Sequence, residues 1–275
     1  MSFTERYVHT GKIALNVAEW DASLPESPVL VLVHGYGSNW NTWGRVVDKL
    51  AEEFKLFAVD LRGMGRSGRY GKGSSRQTSV DDIADLIPRL TDGPVYLIGH
   101  SFGGWVTAAV AAQHHELVSK AVLVDPYSGA NSEARRKERQ RLPEERGRRA
   151  QQIRDAATPN DLIQAVAEQY DGVSEDSINR IAKMWFQMDP ALEEGPFNRT
   201  EDIETFDDMF SSIKCPTLII AGAADKGGIL SEEESERIIG LIPDSRLLTW
   251  SKVGHSPHIA RNHDFIRATK RFWAE

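Results

Sequence analysis

The sequence predicts an α/β fold in which a mostly parallel sheet is covered by helices on both faces. Short apolar runs alternate with longer helical patterns along most of the 275 residues, which is typical of parallel sheets. The polar residues that stand out come directly after the apolar runs, and in open α/β sheets the carboxyl ends of the strands form the ligand crevice. The composition, 40% hydrophobic and 27% charged, fits a globular chain with one sizeable core.

The strands can be followed in order along the chain. Two segments, Arg6 to His9 and Lys12 to Trp20, flank a turn at Thr10-Gly11 and predict an antiparallel hairpin at the edge of the sheet. Six apolar runs then predict the central strands: PVLVLV before His34, KLFAVD to Asp60, PVYLIG to Gly99, KAVLVD to Asp125, PTLIIAG before Asp225 and RLLTW before His255. Helical patterns between them include DKLAEEF, SVDDIADLIPRL and the alanine-rich GGWVTAAVAAQHHELV, which we expect to be buried.

The alternation breaks between residues 127 and 212, where helical stretches occur without a convincing strand. We predict a helical cap there, inserted into an α/β core formed by residues 1–126 and 213–275. The arginine-rich part, ARRKERQRLPEERGRRAQQIR, also carries glutamates, so a solvated helix face is favoured over an anion site. Candidate pocket residues are Trp105, Trp185, Phe186 and Met188. Met184, Trp185, Phe186 and Met188 lie in the predicted cap, and packing within the cap is an equally good interpretation of these four.

Charge and cysteine content narrow the range of partners. A net charge of −7 and a pI near 5.7 argue against nucleic acid, so a small-molecule substrate is expected. Cys215, the single cysteine, lies at the start of an apolar strand and is expected to be a buried structural thiol. The N-terminus lacks the apolar segment of a signal peptide and no later run is long enough to span a membrane, so a cytoplasmic location is expected. The sequence leaves the oligomeric state open.

The strongest local signal is the G-x-S-x-G sequence Gly99-His100-Ser101-Phe102-Gly103, which lies between an apolar strand and an alanine-rich helix. A serine at such a turn adopts strained backbone angles that project its hydroxyl outward, and flanking glycines relieve the crowding around it. The start of the helix also supplies N–H groups and the positive end of a dipole. Ser101 is therefore the predicted nucleophile.

A serine hydroxyl needs a base to remove its proton, and His255, in VGHSPH after the last strand, is the best candidate. The neighbouring His258 is expected to be a surface or packing residue. Two aspartates at strand ends could orient the histidine. We favour Asp225, in AGAADKGG, because a flexible loop could carry it toward His255, and we keep Asp125, in VLVDPY, as the alternative.

Acyl transfer also requires donors for a developing oxyanion. The sequence His34-Gly35-Tyr36-Gly37 follows a central strand and offers the backbone N–H of Tyr36, and Phe102 offers the second. Neither a metal nor a dinucleotide cofactor is expected, because the sequence contains no H-E-x-x-H, no Cys-x-x-Cys and no G-x-G-x-x-G after a first strand. Asp60, in DLRGMGRSG, is expected to hold a loop rather than to react.

Together, HGYG, DLRGMGRSG, GHSFGG, the late Asp225 and VGHSPH resemble the α/β-hydrolase superfamily over essentially the whole chain. The resemblance implies an eight-stranded core, a helical cap after Asp125 and a cofactor-free Ser-His-Asp mechanism. The branch it resembles most includes carboxylesterases, lactonases, cofactor-free haloperoxidases and meta-cleavage carbon–carbon hydrolases. Epoxide hydrolases and haloalkane dehalogenases are also similar, but they attack with an aspartate where this chain has Ser101.

Three functions fit this reading. The first is a serine esterase or lactonase acting on a small to medium apolar substrate. The second is hydrolysis of a carbon–carbon or amide bond in a carboxylated substrate, with a cap arginine holding the carboxylate. The third is a non-catalytic ligand receptor on the same fold, which no residue favours. Fold and triad are shared by many reactions, so the sequence does not identify the substrate.

Overall fold

An eight-stranded sheet runs through the part of the chain that the computed structural model describes, namely residues 2–21, 26–71, 73–129, 133–170, 172–194 and 203–275. The strands are β1 (Thr4–His9), β2 (Ala14–Trp20), β3 (Val29–Val33), β4 (Lys55–Val59), β5 (Val95–His100), β6 (Val118–Val124), β7 (Thr217–Gly222) and β8 (Ser245–Trp250). They lie side by side in the order β1-β2-β4-β3-β5-β6-β7-β8.

The strand directions confirm the predicted α/β fold. β1 pairs with β2, and β2 with β4, in antiparallel register, whereas the other neighbouring strands are parallel. β3 pairs with β4 on one side and with β5 on the other. The direction in which the chain adds strands therefore reverses at β3, and such a switch point opens a crevice at the carboxyl ends of the strands.

Helices cover both faces of the sheet. Their bounds are α1 (Val47–Leu50), α2 (Arg76–Leu86), α3 (Phe102–Gln113), α4 (Glu133–Asp155), α5 (Ile163–Gln169), α6 (Glu175–Phe186), α7 (Ala191–Glu194), α8 (Ile203–Ser211), α9 (Glu232–Leu241), α10 (Pro257–Ala260) and α11 (Asn262–Ala274). The alanine-rich α3 is buried along nearly its whole length, as predicted. Among the described residues, no helix is both long and apolar enough to cross a bilayer.

Two hydrophobic layers hold the sheet between the helices. Because successive side chains of a strand point to opposite faces, β3 contributes Val31 and Val33 to one layer and Leu30 and Leu32 to the other. The first layer contains α2 and α3, and the second contains Phe265 and its neighbours on α11. A sheet buried on both faces provides the rigid support from which short loops can position reactive groups.

Residues 127–212, here called the cap segment, join β6 to β7. Where described, the segment is helical and contains α4 to α8, while residues 130–132, 171 and 195–202 lie outside the described residues. Asp189 attaches it to the core, since its backbone N–H donates to the Gly63 carbonyl at 2.7 Å and its carboxylate accepts the Tyr70 N–H at 2.9 Å. The cap segment therefore packs against loops at the carboxyl edge of the sheet.

Candidate active site

Ser101 occupies a strained turn between β5 and α3. Its backbone angles are φ 54° and ψ −117°, a region that a residue with a Cβ seldom adopts. The turn is held in place because the Ser101 N–H donates to the Val124 carbonyl at 2.9 Å. The Ser101 carbonyl in turn accepts the N–H groups of Trp105 at 3.1 Å and Tyr127 at 3.0 Å. The predicted position of Ser101 between strand and helix is confirmed.

The glycines around Ser101 are required by close backbone approach. A Cβ on Gly99 would overlap the Gly103 carbonyl oxygen, and a Cβ on Gly103 would overlap the Val33 carbonyl oxygen. The start of α3 therefore packs directly on β5 and on the end of β3. This contact sets the N-terminus of α3, with its positive dipole end, behind Ser101.

Asp125 is the carboxylate that pairs with His255. The distance from His255 Nδ1 to Asp125 Oδ2 is 2.7 Å, and Oδ2 also accepts the Ile229 N–H at 2.9 Å. Asp125 Oδ1 accepts the Gly222 N–H at 3.2 Å. The carboxylate is completely buried, and two backbone donors together with an imidazole offset the loss of water around it. Asp125 also has a positive φ of 41°.

The preference for Asp225 as the partner of His255 is wrong. The Asp225 side chain is 73% exposed and forms an ion pair with Lys226 at 3.6 Å. The loop after β7 meets the histidine loop with its backbone instead, because a Cβ on Gly254 would overlap the Lys226 carbonyl oxygen. With its backbone against the histidine loop, this segment carries the Asp225 side chain toward solvent.

The loop after β3 lies against the nucleophile turn. A Cβ on Gly35 would lie 3.2 Å from Ser101 Cβ and 3.0 Å from His100 Nδ1, so a side chain there would be tightly packed against the nucleophile turn. Gly37 has a positive φ of 68°, and the chain turns there. Tyr36 lies between these glycines, with its ring edge-on to Phe102 at a centroid distance of 6.3 Å. The two predicted oxyanion residues are thus neighbours across the Ser101 turn.

Two further histidines support the His255 loop. His100 Nε2 donates to the His255 carbonyl at 2.6 Å. The His258 ring lies 4.6 Å from the His100 ring and 4.4 Å from Trp43. Burial, with a smaller contribution from His255, lowers the pKa of His258 to about 3. Burial also lowers the pKa of His100, so both rings are neutral near pH 7 and pack as aromatic groups.

Comparisons with known proteins agree with this geometry. A family model described as the alpha/beta hydrolase family matches residues 30–268. The chain belongs to that family. A Haemophilus influenzae protein provisionally named esterase/lipase is 27% identical over 254 residues, which cover 90% of this chain and 83% of that protein.

Two more proteins are similar to this α/β hydrolase. The 2-(acetamidomethylene)succinate hydrolase of Mesorhizobium japonicum is 35% identical over 127 residues, or 46% of this chain and 44% of that protein. The crystal structure of the enol-lactonase from Burkholderia xenovorans LB400 has a TM-score of 0.79 at 19% identity, covering 98% of this chain and 100% of that one. Family and relatives together support a hydrolase.

The candidate pocket residues of this α/β hydrolase fall into two groups. Trp105 stacks on Phe102 with ring centroids 5.6 Å apart, so it lies beside the nucleophile turn. Met188 is buried and its Sδ approaches Gly37. Trp185 is also buried, whereas Phe186 is 36% exposed and turns toward solvent. A pocket role for these four residues stays a prediction.

Sequence reasoning missed a buried charge cluster in the cap segment. Glu193 is 2% exposed. Its Oε2 accepts a hydrogen bond from Arg149 Nη2 at 2.8 Å, and the same nitrogen lies 2.6 Å from Oε1. Arg146 Nε lies 3.9 Å from Glu193 Oε2, and the Tyr36 side chain interacts electrostatically with the same carboxylate. Burial and the charge of Glu193 raise the pKa of Tyr36. A glutamate among many in the sequence carries no local signal of burial.

The structural roles predicted for Asp60 and Cys215 are confirmed. Asp60 holds a loop, as expected, since it accepts the backbone N–H groups of Trp40 at 2.7 Å and Arg66 at 2.9 Å. Cys215 is buried, and burial raises the pKa of its thiol. Across the described ranges, no cluster of three or more histidine, cysteine, aspartate or glutamate side chains is arranged to hold a metal ion.

Proposed function

We propose that this α/β hydrolase is a serine esterase or lactonase that cleaves a small to medium apolar substrate through an acyl-enzyme. The observation that carries the proposal is the strained Ser101 at the start of α3, on the same sheet edge as the His255–Asp125 pair. A nucleophile at a strand-to-helix turn, a histidine and a buried acid form the set of groups that acyl transfer to serine requires.

In the proposed mechanism, Asp125 fixes the ring of His255. Because Nδ1 of His255 donates its proton to Asp125 at 2.7 Å, Nε2 is the nitrogen left to accept a proton. His255 takes the proton of Ser101 as the serine oxygen attacks the ester carbonyl, and then gives it to the leaving alcohol. Water activated by the same histidine releases the acid. Asp125 stays ionised and stabilises the imidazolium at each step.

The negative charge that develops on the carbonyl oxygen would be held by the backbone N–H groups of Tyr36 and Phe102. Phe102 is the first residue of α3, so its N–H lies at the positive end of the helix dipole. Gly35 and Gly37 give the Tyr36 loop the shape that brings it against Ser101. Each such donor typically contributes about 3 kcal/mol to transition-state stabilisation.

A second candidate is hydrolysis of an amide or another bond in a carboxylated substrate. It is favoured by the partial similarity to 2-(acetamidomethylene)succinate hydrolase and by the arginines of the cap segment. Against it, Arg149 and Arg146 are already engaged by Glu193. We therefore rank the ester or lactone first. The division into core and cap and a cytoplasmic location remain proposals of the same kind.

The test is turnover of p-nitrophenyl esters of increasing acyl length by the wild-type protein and by Ser101→Ala, with a chelator present. We expect activity in the wild type, indifference to the chelator and a loss of about 10⁴-fold or more in the variant. Mass spectrometry after treatment with a fluorophosphonate should find the label on Ser101 alone. Equal activity of the two proteins would exclude Ser101 as the nucleophile.

A matched set of N-acyl anilides and carboxylated esters separates the two candidates. Esters turned over faster than anilides of the same acyl group support the esterase or lactonase proposal. Turnover restricted to carboxylated amides would favour the second candidate. An unlabelled Ser101 together with no turnover of any substrate would reject both.

A further inference from the structure

The Glu193 cluster is an internal ion pair beside Tyr36, in the loop after β3. Glu193 lies on α7, and its cationic partners Arg146 and Arg149 lie on α4, in another part of the cap segment. The third partner is Tyr36, from the loop after β3, which interacts electrostatically with the Glu193 carboxylate. The cluster therefore joins two cap helices to the residue whose backbone N–H is the proposed oxyanion donor.

The guanidinium groups lie close to the acyl site. The Arg146 guanidinium lies 5.3 Å from the centroid of the Tyr36 ring, and that ring is edge-on to Phe102. The Arg149 guanidinium lies 5.1 Å from the centroid of the Trp185 ring. The Tyr36 ring thus lies between the Arg146 guanidinium and Phe102, the residue that follows Ser101.

Arg149 is paired with Glu193 through its Nη2 nitrogen. Its Nη2 contacts both oxygens of Glu193, and the hydrogen bond and charge of that carboxylate raise the pKa of Arg149 despite its burial. Arginine side chains bind carboxylates by this kind of charge-assisted bond, in substrates as in proteins. Glu193 therefore occupies the donor that a substrate carboxylate would otherwise use.

We propose that Glu193 is a specificity-determining residue. By occupying the cap arginines with an internal carboxylate, it commits the site to substrates with an uncharged acyl group and excludes those with a carboxylate on the acyl chain. A second carboxylate brought to the cluster would meet the charge of Glu193 in a buried environment, where like charges strongly oppose each other. This inference rests on the proposed serine mechanism and names the substrate class that the mechanism serves.

The test compares two p-nitrophenyl esters of similar size, a valerate and a hemisuccinate, by kcat/KM. The variants are Glu193→Gln, which removes the charge and keeps the shape, and Arg149→Met, which removes a cation and keeps apolar packing against Trp185. The matched control is Glu194→Gln, because Glu194 pairs with Arg154 between the same two helices but is 50% exposed.

The wild type should prefer the valerate by about tenfold or more. Glu193→Gln should shift the ratio toward the hemisuccinate by about tenfold, because the variant lacks the negative charge that opposes a second carboxylate. Arg149→Met should shift the ratio the other way, and Glu194→Gln should keep the wild-type ratio within about twofold. A purely structural defect would lower both rates together, so the opposite signs identify the charge effect.

The result that overturns the inference is a wild type that accepts both esters equally, or a Glu193→Gln ratio equal to that of Glu194→Gln. If Glu193→Gln does not fold, the wild-type preference and the Arg149→Met shift still decide the matter. Failure of the proposed function itself looks different, since the wild type would then hydrolyse neither ester and a fluorophosphonate would leave Ser101 unmodified.

Discussion

The loops after β6 and β7 each carry an aspartate, and the two aspartates differ in burial and in their contacts. Each begins at the carboxyl edge of the sheet, and each bears an aspartate within three residues of its strand. Asp125, after β6, is completely buried and hydrogen-bonded to His255. Asp225, after β7, is 73% exposed and pairs with Lys226. Only the first has the contacts of an acid that orients a histidine.

The two loops contribute different groups to the surroundings of Asp125. A buried carboxylate needs donors to remain ionised. The last residue of β7 and the loop after it supply them to Asp125 through the N–H groups of Gly222 and Ile229. The β6 loop thus contributes the side chain and the β7 loop contributes the backbone. Two adjacent parallel strands in register, β6 and β7, make this exchange possible.

The largest expected effect comes from replacing Asp125, the buried aspartate. Asp125→Asn should lower kcat for a p-nitrophenyl ester by about 10⁴-fold, because the amide cannot hold His255 in the right tautomer or stabilise its charged form. Asp225→Asn is the matched control and should keep kcat within about twofold. Both values of kcat are measured on proteins with confirmed secondary structure. A lower kcat for Asp225→Asn than for Asp125→Asn would refute the comparison.

A smaller effect is expected from the backbone contribution of the β7 loop. A Cβ on Gly222 would overlap the Gly254 carbonyl oxygen, so Gly222→Ala should push the β7 loop away from the histidine loop. We expect a loss of about 3 kcal/mol in the free energy of unfolding, measured in urea.

Gly240→Ala provides the control for this substitution. Gly240 lies in α9 with nothing within 4 Å of its added Cβ. Alanine there should raise the free energy of unfolding by about 0.5–1 kcal/mol, because it favours the helix. Equal destabilisation by both substitutions would mean that Gly222 is not constrained by the histidine loop.

The smallest expected effect is the pH dependence that His258 gives to the free energy of unfolding. Burial lowers the pKa of His258 to about 3 from its ordinary 6.5. Between pH 6.5 and pH 3 this histidine is therefore protonated in the unfolded chain and neutral in the folded chain. Its contribution to the free energy of unfolding is complete above pH 6.5 and falls as the pH drops. From pH 6.5 to pH 5 this group should account for about 2 kcal/mol of lost stability.

His258→Met tests this pH dependence, since methionine fills irregular apolar sites without titrating. The free energy of unfolding of the variant should fall less steeply with acid than that of the wild type, by up to one proton. At pH 8, where the histidine is neutral in both states, the two proteins should differ by a constant packing effect only. Parallel curves down to pH 5 would contradict the low pKa of His258.

The parts of the site that the sequence predicts are those with local causes. Ser101 is recognisable because its turn needs glycines nearby in the chain, and His255 follows the last strand directly. The choice between Asp125 and Asp225 depends on N–H groups about 100 residues away from Asp125, which no local pattern encodes. Glu193 was missed for the same reason, since its burial depends on arginines more than 40 residues distant.

The account depends most on the hydrogen bond between His255 and Asp125, and proton NMR can observe it without reference to any substrate. A histidine Nδ1 proton shared with a carboxylate resonates far downfield of other protein signals, and His255→Gln would assign it. We predict that the signal is present in the wild type and in Asp225→Asn and absent from Asp125→Asn. A signal that survives in Asp125→Asn and disappears in Asp225→Asn would contradict the account.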